Sequence, residues 1–180
     1  LEILHYIKNA NRYGININEY TVDFGSTIKR SRQVADQLSK GIAFLMKKNK
    51  ITHIAGEGKL TSNTSIEITK GDNKNLVEAE KIILATGCRP STLPGMELDG
   101  ERIISSKEAM ILNKIPEKMI IIGSGAIGVE FSYFFNEYGS EVHLIEMLPR
   151  ILPIEDEDIS KELQRNFNSL GGVLEYDKPS

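Results

Sequence analysis

Met119-Ile120-Ile121-Ile122-Gly123-Ser124-Gly125-Ala126-Ile127-Gly128-Val129-Glu130-Phe131 decides how the chain is read. An apolar, β-branched run ends in glycines spaced G-x-G-x-x-G, and a helical pattern follows, so the glycines stand where a buried strand stops and a helix starts. Each glycine has its own physical task. Gly123 permits the tight turn, Gly125 lets the backbone approach a pyrophosphate, and Gly128 lets helix pack on strand. The free amides and positive end of the helix dipole then face the anion. Glu146, 23 residues after Gly123, ends the next apolar run, where a carboxylate is expected to accept hydrogen bonds from adenosine ribose hydroxyls. This favours NAD over NADP: a 2′-phosphate would be repelled there, and the first arginine after the carboxylate is Arg150. A bland alternative, a tight turn beside a solvated strand end, explains the parts but not their joint spacing.

The chain after Pro116 alternates strand and helix: strand at 119–122, helix from Ala126 to about Tyr138, Gly139, strand at 141–145, helix from about Asp156 to Leu170, Gly171-Gly172, and strand at Val173-Leu174. Such alternation predicts an α/β fold with a parallel sheet and right-handed crossovers. Upstream, the apolar spacing over residues 1–13 predicts a helix capped by Gly14. A second helix is predicted over 26–50, with Ser26 as N-cap and its apolar stripe (Ile28, Ala35, Leu38, Ile42, Leu45) packed on its own domain. Short β-branched runs at 51–55, 65–69 and 81–86 predict a small antiparallel meander whose last strand is buried on both faces, with Gly71-Asp72-Asn73-Lys74 among the turns. Residues 87–116 read as a connector.

Composition bounds the function. Apolar residues are 40% of the 180 and charged residues 26%, and 22 Lys+Arg against 25 Asp+Glu give a net charge of −3, which disfavours a nucleic-acid binder. No apolar stretch approaches the roughly 20 residues of a membrane span, and the first 20 residues lack a secretory pattern. Cys88 is the one cysteine, so an internal disulfide, a cysteine-rich zinc site or a CxxC pair is excluded and a reducing cytoplasm is expected. His5, His53 and His143 show no paired ligand spacing, so no metal site is expected. The opening at Leu1, inside a helical pattern and without a methionine, suggests a piece of a longer protein.

The segments ILATGCRP (83–90), LPG (93–95), PEKMIIIGSGAIGVEF (116–131), LIEMLPRILP (144–153) and SKGIAFLMKKNKI (39–51) together resemble the FAD-dependent pyridine-nucleotide disulfide oxidoreductases, and within them the branch that oxidises dihydrolipoamide. The resemblance covers essentially the whole chain. It implies FAD/NAD(P)-binding Rossmann-like domains, with 1–115 as part of an FAD-binding domain and 116–180 as the first half of an NAD-binding domain. It implies that Thr86, Gly87 and the adjoining Cys88 lie at a strand end approaching FAD, and that Gly56 and Gly58 flank a turn near its adenine. It places Gly123, Ser124, Gly125, Ala126, Ile127, Gly128 and Val129 in the NAD pyrophosphate loop and helix start, Glu146 at the ribose, and Glu130 near the nicotinamide and flavin rings. Ile127 would sit by the nicotinamide passage.

Bland readings stand beside these. Glu130 would be a stabiliser in the first helical turn, Ile127 a core residue, and Cys88 a small turn residue without redox role. The family's redox cysteine pair and first FAD glycine fingerprint would precede Leu1 and its His-Glu pair would follow Ser180, so no catalytic residue is expected here and the chain alone should not turn over. The implied partners are a lipoyl-bearing acyltransferase or carrier protein of a 2-oxoacid dehydrogenase or glycine-cleavage complex, and a second copy in a homodimer. A related reductase acting on glutathione, mercuric ion or oxygen (an NADH oxidase) is one alternative. A non-catalytic dinucleotide-binding module is another.

Overall fold

The computed structural model describes residues 1–169 and 173–176. The helices are α1 (Glu2–Lys8), α2 (Phe24–Lys48), α3 (Ser106–Ala109), α4 (Ala126–Glu137) and α5 (Glu157–Ser169). The strands are β1 (Glu57–Leu60), β2 (Ser65–Lys70), β3 (Asn73–Glu78), β4 (Lys118–Ile122), β5 (Glu141–Glu146) and β6 (Val173–Tyr176). The expected glycine turn at Gly171-Gly172 lies outside the described residues. Packing divides the chain into two units, one of Leu1–Lys29 with Leu98–Ser180 and one of Arg30–Glu97.

The first unit is built on a parallel sheet in the order β4-β5-β6. Lys118 pairs with Glu141 and Ile122 with Ile145, while His143 pairs with Val173 and Glu146 with Tyr176. Period-2 alternation puts Met119, Ile121, Val142 and Leu144 on one face. Phe135 of α4 is fully buried and clusters with Val142, Phe24 and Ala109, with Met119, Ile121, Phe131, Phe134 and Tyr138 packed around them. A second cluster joins Val129 of α4, Leu144 and Phe167 of α5. The Phe24 ring meets that of Tyr138 edge-on at 5.3 Å between centroids, a favoured aromatic geometry. The other face carries Ile120 and Ile122, both exposed, so β4 is not the fully buried strand that its composition suggested. The described helices whose side chains build these clusters lie against the opposite face.

Helix ends explain two departures. The first helix stops at Lys8, and a 3-10 turn at Ala10–Tyr13 completes the expected span before Gly14 takes the left-handed conformation, φ 74°. The long helix begins at Phe24, and Ser26 is not its cap. Asp23 takes that place: the Ser26 amide donates to its Oδ1 at 2.9 Å and the Ser26 hydroxyl to its Oδ2 at 2.6 Å. A charged acceptor competes better than a hydroxyl for the orphan amides of a helix start. The connector also hides a helical turn, α3, closed by a capping box between Ser105 and Glu108.

The second unit holds the antiparallel meander β1-β2-β3. Glu57 pairs with Thr69 and Leu60 with Ile66, and Ser65 pairs with Glu78 and Lys70 with Asn73. Gly71 (φ 57°) makes the turn into β3. The expected strands at 51–55 and 81–86 do not form. Short turns on either side of β2 fix its partners as the residues nearest in sequence, 57–60 and 73–78. Residues 81–86 have no strand partner among the described residues, and Ile83 is 91% exposed instead of doubly buried. The stripe on α2 also differs from expectation, since Leu38, Ile42 and Leu45 are exposed. Periodicity reports that a face is apolar and is silent on what covers it.

Candidate functional site

β4 runs directly into the bend at Gly123, whose φ of 99° is closed to residues bearing a Cβ without strain. The Gly123 amide donates to the Ile145 carbonyl at 2.8 Å, which carries the ladder with β5 one residue past the strand end. Gly125 is the N-cap of α4 and caps it with no side chain, so the first amides of a 12-residue helix have no side-chain cap. Gly128 lies against the bend: a Cβ there would fall 1.9 Å from the Gly123 carbonyl oxygen. The third glycine is required by packing within the protein, independent of any ligand.

Glu146 at the end of β5 reaches across to this bend. Its Oε2 accepts the Ser124 amide at 2.8 Å and the Ser124 hydroxyl at 2.7 Å, and its Oε1 accepts the Leu148 amide at 3.0 Å. Desolvation by partial burial is the largest single influence and pushes this carboxyl upward. The amides of Leu148 and Ser124, the Ser124 hydroxyl and the Met147 amide together outweigh it and hold the group below the usual glutamate range. The bonds from Ser124 and Leu148 occupy three of the roughly four lone-pair positions of a carboxylate, and the Met147 amide bears on the group as well.

The segment after Glu146 closes onto the same bend. The Leu152 amide donates to the Ser124 carbonyl at 2.9 Å, with Leu152 in the left-handed region at φ 46°. Ile151 is fully buried beneath it, and the Ser160 hydroxyl of α5 donates to the Leu152 carbonyl at 3.1 Å. Arg150 donates to the carbonyls of Pro153 at 3.1 Å and Glu155 at 3.0 Å. Its guanidinium thus braces its own loop.

The structure brings Gly123, Ser124, Gly125, Gly128 and Glu146 into one hydrogen-bonded arrangement. Ser124 is wholly buried, Val129 turns into the core beside Leu144, and Ala126 and Ile127 are exposed at the helix start. Glu130 is exposed in the second turn of α4, not the first, so its bland role as a first-turn stabiliser does not hold. In the other unit, Gly56 sits where a Cβ would meet Ile68 at 2.6 Å and the Thr69 carbonyl at 2.8 Å, so the meander itself requires it. Gly58 lies in β1, and Thr86, Gly87 (φ 75°) and Cys88 are exposed outside regular structure. The amides of Leu148 and Leu152 escaped sequence reading, because backbone donors leave no compositional trace. Pro149 and Pro153, which stiffen that loop, were the available signal.

A family model described as pyridine nucleotide-disulphide oxidoreductase matches residues 3–174. The dihydrolipoyl dehydrogenase of Chlorobaculum parvum is 41% identical over 170 residues, covering 94% of this chain and 36% of that protein. That of Zymomonas mobilis is 40% identical over 172 residues, covering 94% and 37%. The chain therefore spans little more than a third of the length of these curated relatives. Among solved structures, LpdA from Mycobacterium tuberculosis superimposes with a TM-score of 0.85 at 27% identity, over 97% of this chain and 39% of that one. RclA from Escherichia coli, an HOCl-induced flavoprotein disulfide reductase, gives 0.73 at 25% identity, over 94% and 37%.

Proposed function

The chain belongs to the pyridine nucleotide-disulphide oxidoreductase family, and from that premise we propose that residues 123–146 bind the NAD of a flavin-dependent dihydrolipoyl dehydrogenase. The observation that carries this reading is the Glu146 carboxylate locked onto the glycine bend by Ser124. The uncapped start of α4 suits a diphosphate, whose charge the helix amides would receive. The carboxylate would accept a ribose hydroxyl and repel a 2′-phosphate. Arg150 is held to its own loop by the bonds from its Nη2 to the Pro153 and Glu155 carbonyls.

Assignment of FAD rests on family membership and on the resemblance of Thr86, Gly87, Cys88, Gly56 and Gly58 to flavin-facing positions. The space beside Gly56 is filled by its own meander, so that glycine is needed for packing whether or not a flavin lies near it. The cofactors supply the redox chemistry, passing electrons from a dithiol to the nicotinamide, while the protein orients them. Glu130 and Ile127, exposed at the start of α4, would face the reacting rings. The domain assignment, 1–115 to flavin and 116–180 to NAD, divides the chain by cofactor and not by packing. The whole enzyme would act on dihydrolipoamide carried by an acyltransferase or carrier protein, as a homodimer. With Cys88 as its one cysteine, this chain would not turn over alone. The similarity to RclA favours a second reading, a flavoprotein disulfide reductase with another substrate, which would share the NAD bend.

Isothermal titration of the chain with NAD and NADP tests the proposal. NAD binds more tightly, and Gly123→Asp abolishes binding by placing a side chain and a charge on the bend. An equal response to the two nucleotides refutes the reading, as does a Gly123→Asp variant that binds like the wild type.

A further inference from the structure

Ser124 holds the Glu146 carboxylate with two donors from one residue, and this pairing has a consequence for nucleotide choice. The amide and the hydroxyl both end on Oε2, so that oxygen is directed into the bend. Oε1 accepts one bond, from the Leu148 amide at 3.0 Å, against two at Oε2, and so keeps the greater accepting capacity. Ser124 is 0% exposed, and its carbonyl is held by Leu152, so the hydroxyl works from a backbone that cannot shift. A ribose hydroxyl is read well only by an acceptor already aimed at it, and a 2′-phosphate is repelled well only by a charge that cannot swing aside.

We propose that Ser124 is a positioning residue whose hydroxyl fixes the Glu146 carboxylate and thereby sets the preference for a dinucleotide with a free 2′-hydroxyl. The inference rests on the NAD-binding reading above and assigns Ser124 an action on Glu146 instead of on the diphosphate. Any glycine at this position would supply the amide but not the hydroxyl, so the side chain is the discriminating element. Losing a hydrogen bond to a charged group weakens an interaction by about tenfold or more.

The test uses the intact chain, its Ser124→Ala and Ser124→Gly variants, Glu146→Gln and the Ser124→Ala/Glu146→Gln double variant, each titrated with NAD and with NADP. Ser124→Ala is expected to weaken NAD about tenfold while NADP is unchanged or improved, so the ratio of the two dissociation constants falls at least tenfold. In the Glu146→Gln background, Ser124→Ala is expected to have little further effect on that ratio. Ser124→Gly, which removes the hydroxyl together with the Cβ and keeps the amide, is expected to repeat the result if Ser124→Ala folds poorly. Equal weakening of both nucleotides would mean a merely structural serine and overturns the inference while leaving the NAD reading intact. So does an unaltered ratio. A wild-type chain that does not distinguish NAD from NADP overturns both together.

Discussion

Substituting Gly128 and Gly125 separates stability from binding within one turn of helix. A Cβ at position 128 would lie 1.9 Å from the Gly123 carbonyl oxygen and 3.0 Å from its carbon. Carbon and oxygen in contact stand about 3.3–3.6 Å apart, so Gly128→Ala must push the start of α4 from the bend by about 1.4 Å or more. The obstructing atoms are backbone, tied through Gly123 to Ile145 and through Ser124 to Glu146, and cannot rotate away. Overpacking of this kind costs about 3 kcal/mol, the upper end of the usual range, which for a chain of this length lowers Tm by about 6–12 °C. On the proposed NAD reading, a displacement of this size should also remove NAD affinity. Gly125→Ala is the counterpart. Its added Cβ meets nothing within 4 Å and its φ is −66°, so Tm should stay within about 2 °C, yet on the proposed NAD reading the methyl group stands where the diphosphate would approach. Thermal unfolding followed by circular dichroism, with NAD titration of each variant, measures both quantities. A Gly128→Ala chain that melts with the wild type refutes the packing argument. A Gly125→Ala chain that binds NAD normally refutes the close-approach argument.

Two further outcomes follow from the geometry. Because Glu146 has its carboxyl lowered in the folded chain, the unfolded chain takes up the proton first as pH falls. Its stabilisation is therefore complete above the ordinary glutamate value of about 4.3 and is lost as pH drops through the lower folded value; acid titration of Tm should show this limb flattened in Glu146→Gln, and an identical acid limb would contradict it. The Lys8 ammonium contacts the Glu137 carboxylate at 3.1 Å as well as its carbonyl, and Glu137 is only 7% exposed. Lys8→Met leaves that charge without its partner and should cost about 1–2 kcal/mol in urea unfolding, less than for a fully buried pair because the lysine is part-exposed; an unchanged midpoint would deny the pair a role.

The glycine bend was legible from sequence because its requirements are encoded in residue type: φ 99° at Gly123 and the contact at Gly128 admit little but glycine. The meander was legible in kind but not in place. Ile51–Ala55 has a better strand composition than Glu57-Gly58-Lys59-Leu60, yet pairing is a relation between two segments, and the turns around β2 select partners that composition does not advertise. Residues 81–86 failed for the same reason: an apolar run states a need for cover without supplying it. The start of α2 was misplaced because Asp23 and Ser26 are both good caps, and the geometry that makes one of them the acceptor is visible in three dimensions alone. Spacing put Glu146 at the end of β5, whereas its grip by Ser124 was not legible, since hydrogen bonds across 22 residues depend on where two loops come to rest.

If the proposed NAD reading holds, Arg150 bears on how readily this scaffold could change coenzyme. Between Glu146 and α5 it is the one basic side chain, and it serves as a brace for Pro153 and Glu155. Deleting the acidic side chain at 146 would remove a repulsion without creating an attraction. Redirecting the guanidinium outward would unfasten the loop that pins Ser124 through Leu152. A lineage moving toward the phosphorylated coenzyme would have to import a new cation before it could spare this one, so a single substitution should yield an indifferent binder, and a converted one only after the loop is rebuilt.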